Sequence, residues 1–236
     1  MVINNRDRQR TRVVYVPVNT GGGSGGGSQA KIKVGESGLK FTKTTFTEVP
    51  EVFDFSDVID MYAMFRDCTS LTTAPQMDTS QVTNMYQMFY NCNLLTSVPQ
   101  MDTSQVTNMK GMFYQCYSLT TVPEMNTSQV TNMRLMFYNC KSLTSIQEMN
   151  VSNVTDMFRM LFACYSLTDL GGFVGLKCDL DLSESSHITH ESLLNVINKA
   201  ADVTAAPATL TLGSDNLAKL TDEEKAIATN KGWTLA

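Results

Sequence analysis

A single period governs this chain. Cys68, Cys92, Cys116, Cys140 and Cys164 lie 24 residues apart, and so do Leu71, Leu95, Leu119, Leu143 and Leu167, with no insertion between them. The stretch VTNMYQMFYNCNLLTSVPQMDTSQ, which opens at Val82, returns almost unchanged from Val106 and again from Val130. A period of this size means a solenoid, because one such unit buries its apolar face only by stacking on its neighbours. The expected architecture is an α/β solenoid of 24-residue turns, each a short strand plus a short helix, with α/β caps at both ends.

Within a turn, Val82, Met85, Met88, Phe89 and Cys92 follow helical spacing and predict one inward helix face, with Thr79, Ser80 or Thr83 as its cap. Leu95, Val98 and Met101 continue inward as the strand, and Pro75, Pro99 and Pro123 turn the chain at its end. Apart from Met1, every methionine falls in one of three 24-residue columns. A pliable binding surface or a soft-metal site could use such columns, but unbranched thioethers at inward positions read as core filling. Five stacked cysteines cannot all pair along their column, and no C-x-x-C supports zinc, so they read as reduced, buried thiols. Cys178, one period after Val154, reads as packing too.

The flanks divide into further segments. Residues 1–20 form a basic arm carrying Arg6, Arg8, Arg10 and Arg12, followed by a β-prone run that includes Val14, Tyr15 and Val16. A lone strand cannot bury itself, so this arm predicts anchoring on a partner's sheet edge. The GGGSGGGS within residues 21–30 reads as a flexible tether, of natural or engineered origin. Residues 31–60 form an N-terminal cap, read as a β-hairpin over Lys31 to Thr47 with Phe46 in the leucine column, then a degenerate repeat. The array proper occupies residues 61–178. Residues 179–236 read as a C-terminal α/β lid: a helix from about Thr189 to Asp202, a strand from Ala208 to Leu212, a capping box at Thr221 opening a second helix, and a last strand after Gly232.

Chemistry is hard to find here. The HITHE stretch with His187 and His190 lacks the H-E-x-x-H order of a zinc protease, and no phosphate-binding loop or G-x-S-x-G elbow occurs. Asp78 and Asp102 give way to Asn126 and Asn150 in one column, which predicts turn capping rather than acid–base work. No cofactor, metal or enzymatic activity is expected. A net charge of −5 and a pI near 5.0 argue against nucleic acid, and no apolar run is long enough for a membrane span. The first residues lack the apolar core and cleavage site of a secretory signal, and no cysteine lies near them for lipid attachment.

What varies from turn to turn is the surface. Tyr86, Lys110, Arg134 and Phe158 share one column, and Tyr90, Tyr114, Tyr138 and Phe162 share another, with Tyr117 and Tyr165 close by. These residues predict either a structural ladder of rings at the core's rim or a contact strip for protein or sugar.

The segment SLTTVPEMNTSQVTNMRLMFYNC resembles the BspA-like (DUF285-type) leucine-rich repeat surface proteins, over about residues 46–178, through its L-x-x-[LVI], V-T-[ND]-M and M-F-x-x-C elements. The closing LTDEEKAIATNKGWTL is similar to tails that follow such repeats in gut Bacteroidetes and their phages. The resemblance implies a leucine-rich-repeat solenoid used for adhesion or protein binding, without enzymatic activity. A start without export signal or lipid anchor departs from that family. It turns the expectation toward a virion structural protein, a capsid or tail fibre or decoration, docked on virion proteins by its arm. The alternative is a bacterial cell-surface adhesin, with an intracellular scaffold third. A host surface protein, a glycan or a second copy are the other partners left open.

Overall fold

The computed structural model describes residues 32–33, 41, 47–49 and 53–236. The arm and the tether, residues 1–20 and 21–30, therefore lie outside the described residues, as does Phe46. The 24-residue period is built as a stack of parallel turns. Isolated parallel bridges join Asp60 to Asn84, Asn84 to Asn108, Asn108 to Asn132, and Asn132 to Asp156. On another side of the stack, in its last regular turns, the short strands β3 (Ser145–Ile146) and β4 (Met149–Asn150) pair in parallel with β5 (Asp169–Leu170) and β6 (Phe173–Val174).

The expected helix in each turn does not form. Helical spacing of the apolar residues is present, yet the backbone makes successive tight turns instead: the Met88, Tyr90 and Cys92 N–H groups donate three residues back, at 3.2 Å each. Between them, Met85, Gln87, Phe89 and Asn91 donate to the next turn's Asn108, Lys110, Met112 and Tyr114 carbonyls at 2.7–3.0 Å. An α-helix would spend those donors internally. Stacking needs half of them turned along the solenoid axis, and two left-handed residues per turn supply that rotation: Gln87 (φ 54°) and Asn91 (φ 60°), and their equivalents in every turn from Ala63 to Ala163. Triplet turns repeated along the chain imitate a 3.6-residue apolar pattern, which is why periodicity misread them.

With no helix to cap, Thr79, Ser80 and Thr83 take other parts. Ser80 donates its N–H and hydroxyl to Asp78 Oδ1 at 3.0 and 2.7 Å, and Ser104, Ser128 and Ser152 close the same turn on Asp102, Asn126 and Asn150. That column caps turns. Thr83 sends both its N–H and its hydroxyl to the Ile59 carbonyl, and Thr107, Thr131 and Thr155 repeat this upward. A second threonine column does the same through Thr96, Thr120, Thr144 and Thr168.

The core is continuous from Phe41 to Trp233. Its centre is a stack of phenylalanines, Phe41, Phe65, Phe89, Phe113 and Phe137, with centroids 5.2–5.7 Å apart and ring planes within 14°. Phe41 is the rung the hairpin reading missed, although it stands 24 residues before Phe65. Most of the expected hairpin, Lys31 to Thr47, lies outside the described residues; within them, β1 (Ile32–Lys33) pairs in parallel with β2 (Phe53–Asp54). The methionine columns are buried throughout. Cys68, Cys92, Cys116, Cys140 and Cys164 are buried free thiols, each sulfur 2.8–3.1 Å from the carbonyl of the preceding turn's phenylalanine. Cys178 is partly buried against the same core.

After Leu176 the turns lengthen. β7 (Leu180–Asp181), β8 (Thr209–Thr211) and β9 (Thr234–Leu235) form a parallel three-stranded sheet in that order. Between its strands run α1 (His190–Lys199), the short α2 (Gly213–Leu217) and α3 (Asp222–Asn230). Thr189 caps α1, and a Thr221–Glu224 capping box opens α3. The expected lid is thus further coiling with helices on its outer arcs; α2 was not anticipated. Lys231 Nζ reaches the Ile197, Asn198 and Ala200 carbonyls and so closes the end of α1.

Candidate interaction surface

Stacking in strict register carries surface residues into rows as faithfully as core residues. Tyr62, Tyr86, Lys110, Arg134 and Phe158 form one row: Tyr62 packs on Tyr86 at 5.2 Å, Lys110 Nζ lies 5.6 Å from the Tyr86 ring centre, and the Arg134 guanidinium 4.3 Å from that of Phe158. Arg66, Tyr90, Tyr114, Tyr138 and Phe162 form the second. Its rings stack at 4.4, 4.8 and 5.2 Å with nearly parallel planes, and Arg66 lies over the Tyr90 end at 4.7 Å. Arg159 joins the rows by lying 5.1 Å from both Phe158 and Phe162.

Of the two expectations for these residues, the ladder is the one the geometry displays. The rings do build a ladder, and most of it is only half-buried, so one edge of each ring faces outward while Phe158 stays 48% exposed. Tyr117 sits beside the rows with Lys141 Nζ 5.1 Å from its ring. Tyr165, also 48% exposed, makes no ring or cation contact among the described residues. Tyr62 and Lys141 were missed by the sequence reading, although each stands one period from a residue that was singled out.

The charges here are held rather than free. Arg66 donates to Gln87 Oε1 at 2.8 Å and lies 3.6 Å from Asp67, while Arg134 lies 3.6 Å from Asp156. Burial, then the neighbouring tyrosines, pushes the Tyr114 hydroxyl above its ordinary pKa, so that ring stays a neutral phenol near neutrality. Rings and cations oriented in advance lose little side-chain freedom when a partner arrives.

Another side of the stack has a different character. A shallow groove of about 540 Å³ there is lined by Gln100, Asp102, Glu124, Asn126, Glu148 and Asn150, among others. Its polar groups largely serve the turns themselves, as when Gln100 Nε2 donates to the Glu124 carbonyl at 2.8 Å. His190 pairs with Glu224 at 2.9 Å, and the described residues contain no cluster able to hold a metal. No helix among them is long and apolar enough to cross a membrane.

Comparison with known proteins bears on the repeats. The family described as "Mycoplasma protein of unknown function, DUF285" matches residues 38–119 and 59–171, more than half of the chain. The chain belongs to the DUF285 family. No curated protein matches this DUF285 chain in sequence. Among solved structures, the leucine-rich repeat protein of T. pallidum is similar, with a TM-score of 0.56 and 15% identity over 84% of this chain and 90% of that one. At that identity the likeness is one of fold: a leucine-rich-repeat type of solenoid. Neither comparison supports a phage origin or a virion role.

Proposed function

We propose that this chain is a non-enzymatic binding module, a leucine-rich-repeat solenoid that recognises a protein at a cell or particle surface through its double row of rings and cations. One observation carries the reading. Inward positions are nearly constant from turn to turn, whereas the row Tyr62, Tyr86, Lys110, Arg134, Phe158 changes side chain at almost every step on an unchanging frame. Aromatic residues and arginine hold most of the energy at protein interfaces. A half-buried strip of them, oriented before contact, suits recognition along the stack's length. The cell-surface adhesin fits this reading. The narrower one, a virion part docked through Arg6, Arg8, Arg10, Arg12, Val14, Tyr15 and Val16, draws on the arm's sequence alone.

An array of immobilised surface proteins and glycans, probed with the purified chain, tests the proposal. The triple variant Tyr86→Ser, Arg134→Glu, Phe158→Ser should keep the wild-type circular dichroism and lose at least tenfold in affinity for whatever protein is bound. Glu124→Ala, on the groove side, should bind as wild type. Loss in the second variant and retention in the first would place recognition on the groove instead.

A further inference from the structure

Charge in the regular turns is sorted by side. Residues 61–178 contain six lysines and arginines, and five of them, Arg66, Lys110, Arg134, Lys141 and Arg159, lie in or beside the two aromatic rows; Lys177 is the sixth. Carboxylates take other positions. Asp102, Glu124 and Glu148 line the groove, and at the rows acids are confined to the outermost turns, Asp60 and Asp67 at one end and Asp156 at the other. In the turns between, the same two columns hold Asn84, Asn108 and Asn132, and Asn91, Gln115 and Asn139. Turn chemistry does not require those amides. Asp60 Oδ1 accepts the Tyr62 N–H at 2.8 Å and Asp156 Oδ1 the Phe158 N–H at 3.0 Å, the same bond that Asn84, Asn108 and Asn132 make to Tyr86, Lys110 and Arg134. On the groove side a like turn is closed by aspartate at Asp78 and Asp102 as well as by asparagine at Asn126 and Asn150. Along the middle of the strip only the neutral choice is used. Lys110 and Lys141 therefore rest on rings, 5.6 and 5.1 Å from their centres, with no carboxylate partner among the described residues.

We infer that the strip's partner is an acidic protein segment, whose Asp or Glu side chains lie over the central turns at Lys110, Arg134 and Lys141. The inference rests on the strip reading above and adds the partner's chemistry to it. The rings contribute charge of the same sign. An aromatic ring is negative over its face and positive around its edge. Tyr90, Tyr114, Tyr138 and Phe162 stack with successive planes within 11°, so they cover one another's faces and leave edges to face outward. Ring edges and cationic heads together make a positive surface on a chain of net charge −5. A sugar would need what the stack hides, because its C–H face packs on an open, negative ring face. Even Phe158, the most exposed ring of the rows, has the Arg134 and Arg159 guanidinium groups 4.3 and 5.1 Å from its centre. Successive turns stand about 4.8 Å apart, inside a Debye length of about 8 Å, so Lys110 and Arg134 attract one and the same segment.

The test measures binding of the full chain to immobilised poly-glutamate, with the carboxylated glycan poly-galacturonate alongside. Arg6, Arg8, Arg10 and Arg12 are changed to serine throughout, so that the basic arm cannot answer for the strip. Poly-glutamate is expected to bind at least tenfold more tightly than poly-galacturonate, and to lose at least tenfold in affinity between about 0.05 and 0.5 M salt. Adding Lys110→Glu with Lys141→Glu should weaken it at least tenfold without changing the circular dichroism. Lys177→Glu with Lys225→Glu, an equal change of net charge away from the rows, should stay within twofold. Equal losses in the two pairs, or no binding of poly-glutamate, would overturn the inference and leave the strip reading standing. Equal or tighter binding of poly-galacturonate would assign the strip to an anionic glycan and overturn it as well. The strip reading itself falls on a different result, protein binding that survives Tyr86→Ser, Arg134→Glu and Phe158→Ser together.

Discussion

Leucine, arginine and glutamine occupy left-handed backbone at 135, 159 and 87, where only the central turn has glycine, Gly111 at φ 60°. Such a conformation costs an ordinary residue on the order of 1–2 kcal/mol, a cost offset at 87 and 135 by the interturn hydrogen bonds to the Lys110 and Phe158 carbonyls. Gly111→Val should therefore lower stability by about 1–2 kcal/mol in denaturant titration, since space around the added carbon is adequate and only the dihedral objects. An unchanged midpoint would show that the turn relaxes. Nothing in the sequence marks these positions, because five different residue types fill one column. The aspartate column was legible, since asparagine replaces aspartate along it. Bonds from the Ser80 hydroxyl and N–H hold the Asp78 carboxyl below its usual range, and the Ser104 N–H and hydroxyl do so for Asp102. Ionised carboxylates are thus preferred in the fold; their contribution is present above the ordinary pKa of about 3.9 and is lost as pH falls through the lowered native values. Asp78→Asn with Asp102→Asn, copying Asn126 and Asn150, should flatten the dependence of Tm on pH below about 4. A slope equal to wild type would assign the acid sensitivity to other groups.

Elements here are columns rather than strands and helices. The phenylalanine column carries the largest buried rings, and Phe113, fully buried, stacks between Phe89 at 5.7 Å and Phe137 at 5.5 Å. Phe113→Ala should cost about 3–5 kcal/mol through lost burial and the cavity left behind; a melting temperature within about a degree of wild type would remove the column from the core. The thiol column makes a pH prediction of opposite sign. Desolvation pushes the Cys92, Cys116 and Cys140 thiols well up and Cys164 up to about 12, so the folded state keeps protons that the unfolded chain releases. Their contribution is complete below the ordinary thiol pKa of about 8.5 and drains away as pH rises toward the native values. Stability should fall between about pH 9 and 12, less steeply in Cys116→Ala, and denatured protein without reductant should titrate six thiols. Fewer than six would reveal a disulfide. Sequence showed these columns plainly because burial repeats with the period. It could not show how the backbone joins them, since triplet turns and a helix place the same residues inward.

At the scale of the molecule, the solenoid followed from the period, whereas the C-terminal lid did not read as continued coiling. There the spacing stretches from 24 residues to the 30 separating Leu180 from Leu210, and the helices on the outer arcs mask the shared ladder. The strip was legible as residues but not as a surface with held cations, because ring-to-cation order depends on a register that only stacking reveals. That same register sets how the chain answers tension. Hydrogen bonds between turns, including both threonine columns, run along the axis joining the ends of the stack. A pull applied there loads one rung at a time, so the stack should unwind like a coil of rope rather than tear as a block. Each freed turn of 24 residues would lengthen the chain by on the order of 80 Å. Single-molecule stretching should give a staircase of near-equal steps across the regular turns, and one cooperative rupture would contradict it. A protein gripping its target through the strip while held at its far end would then yield by lengthening, and keep its grip.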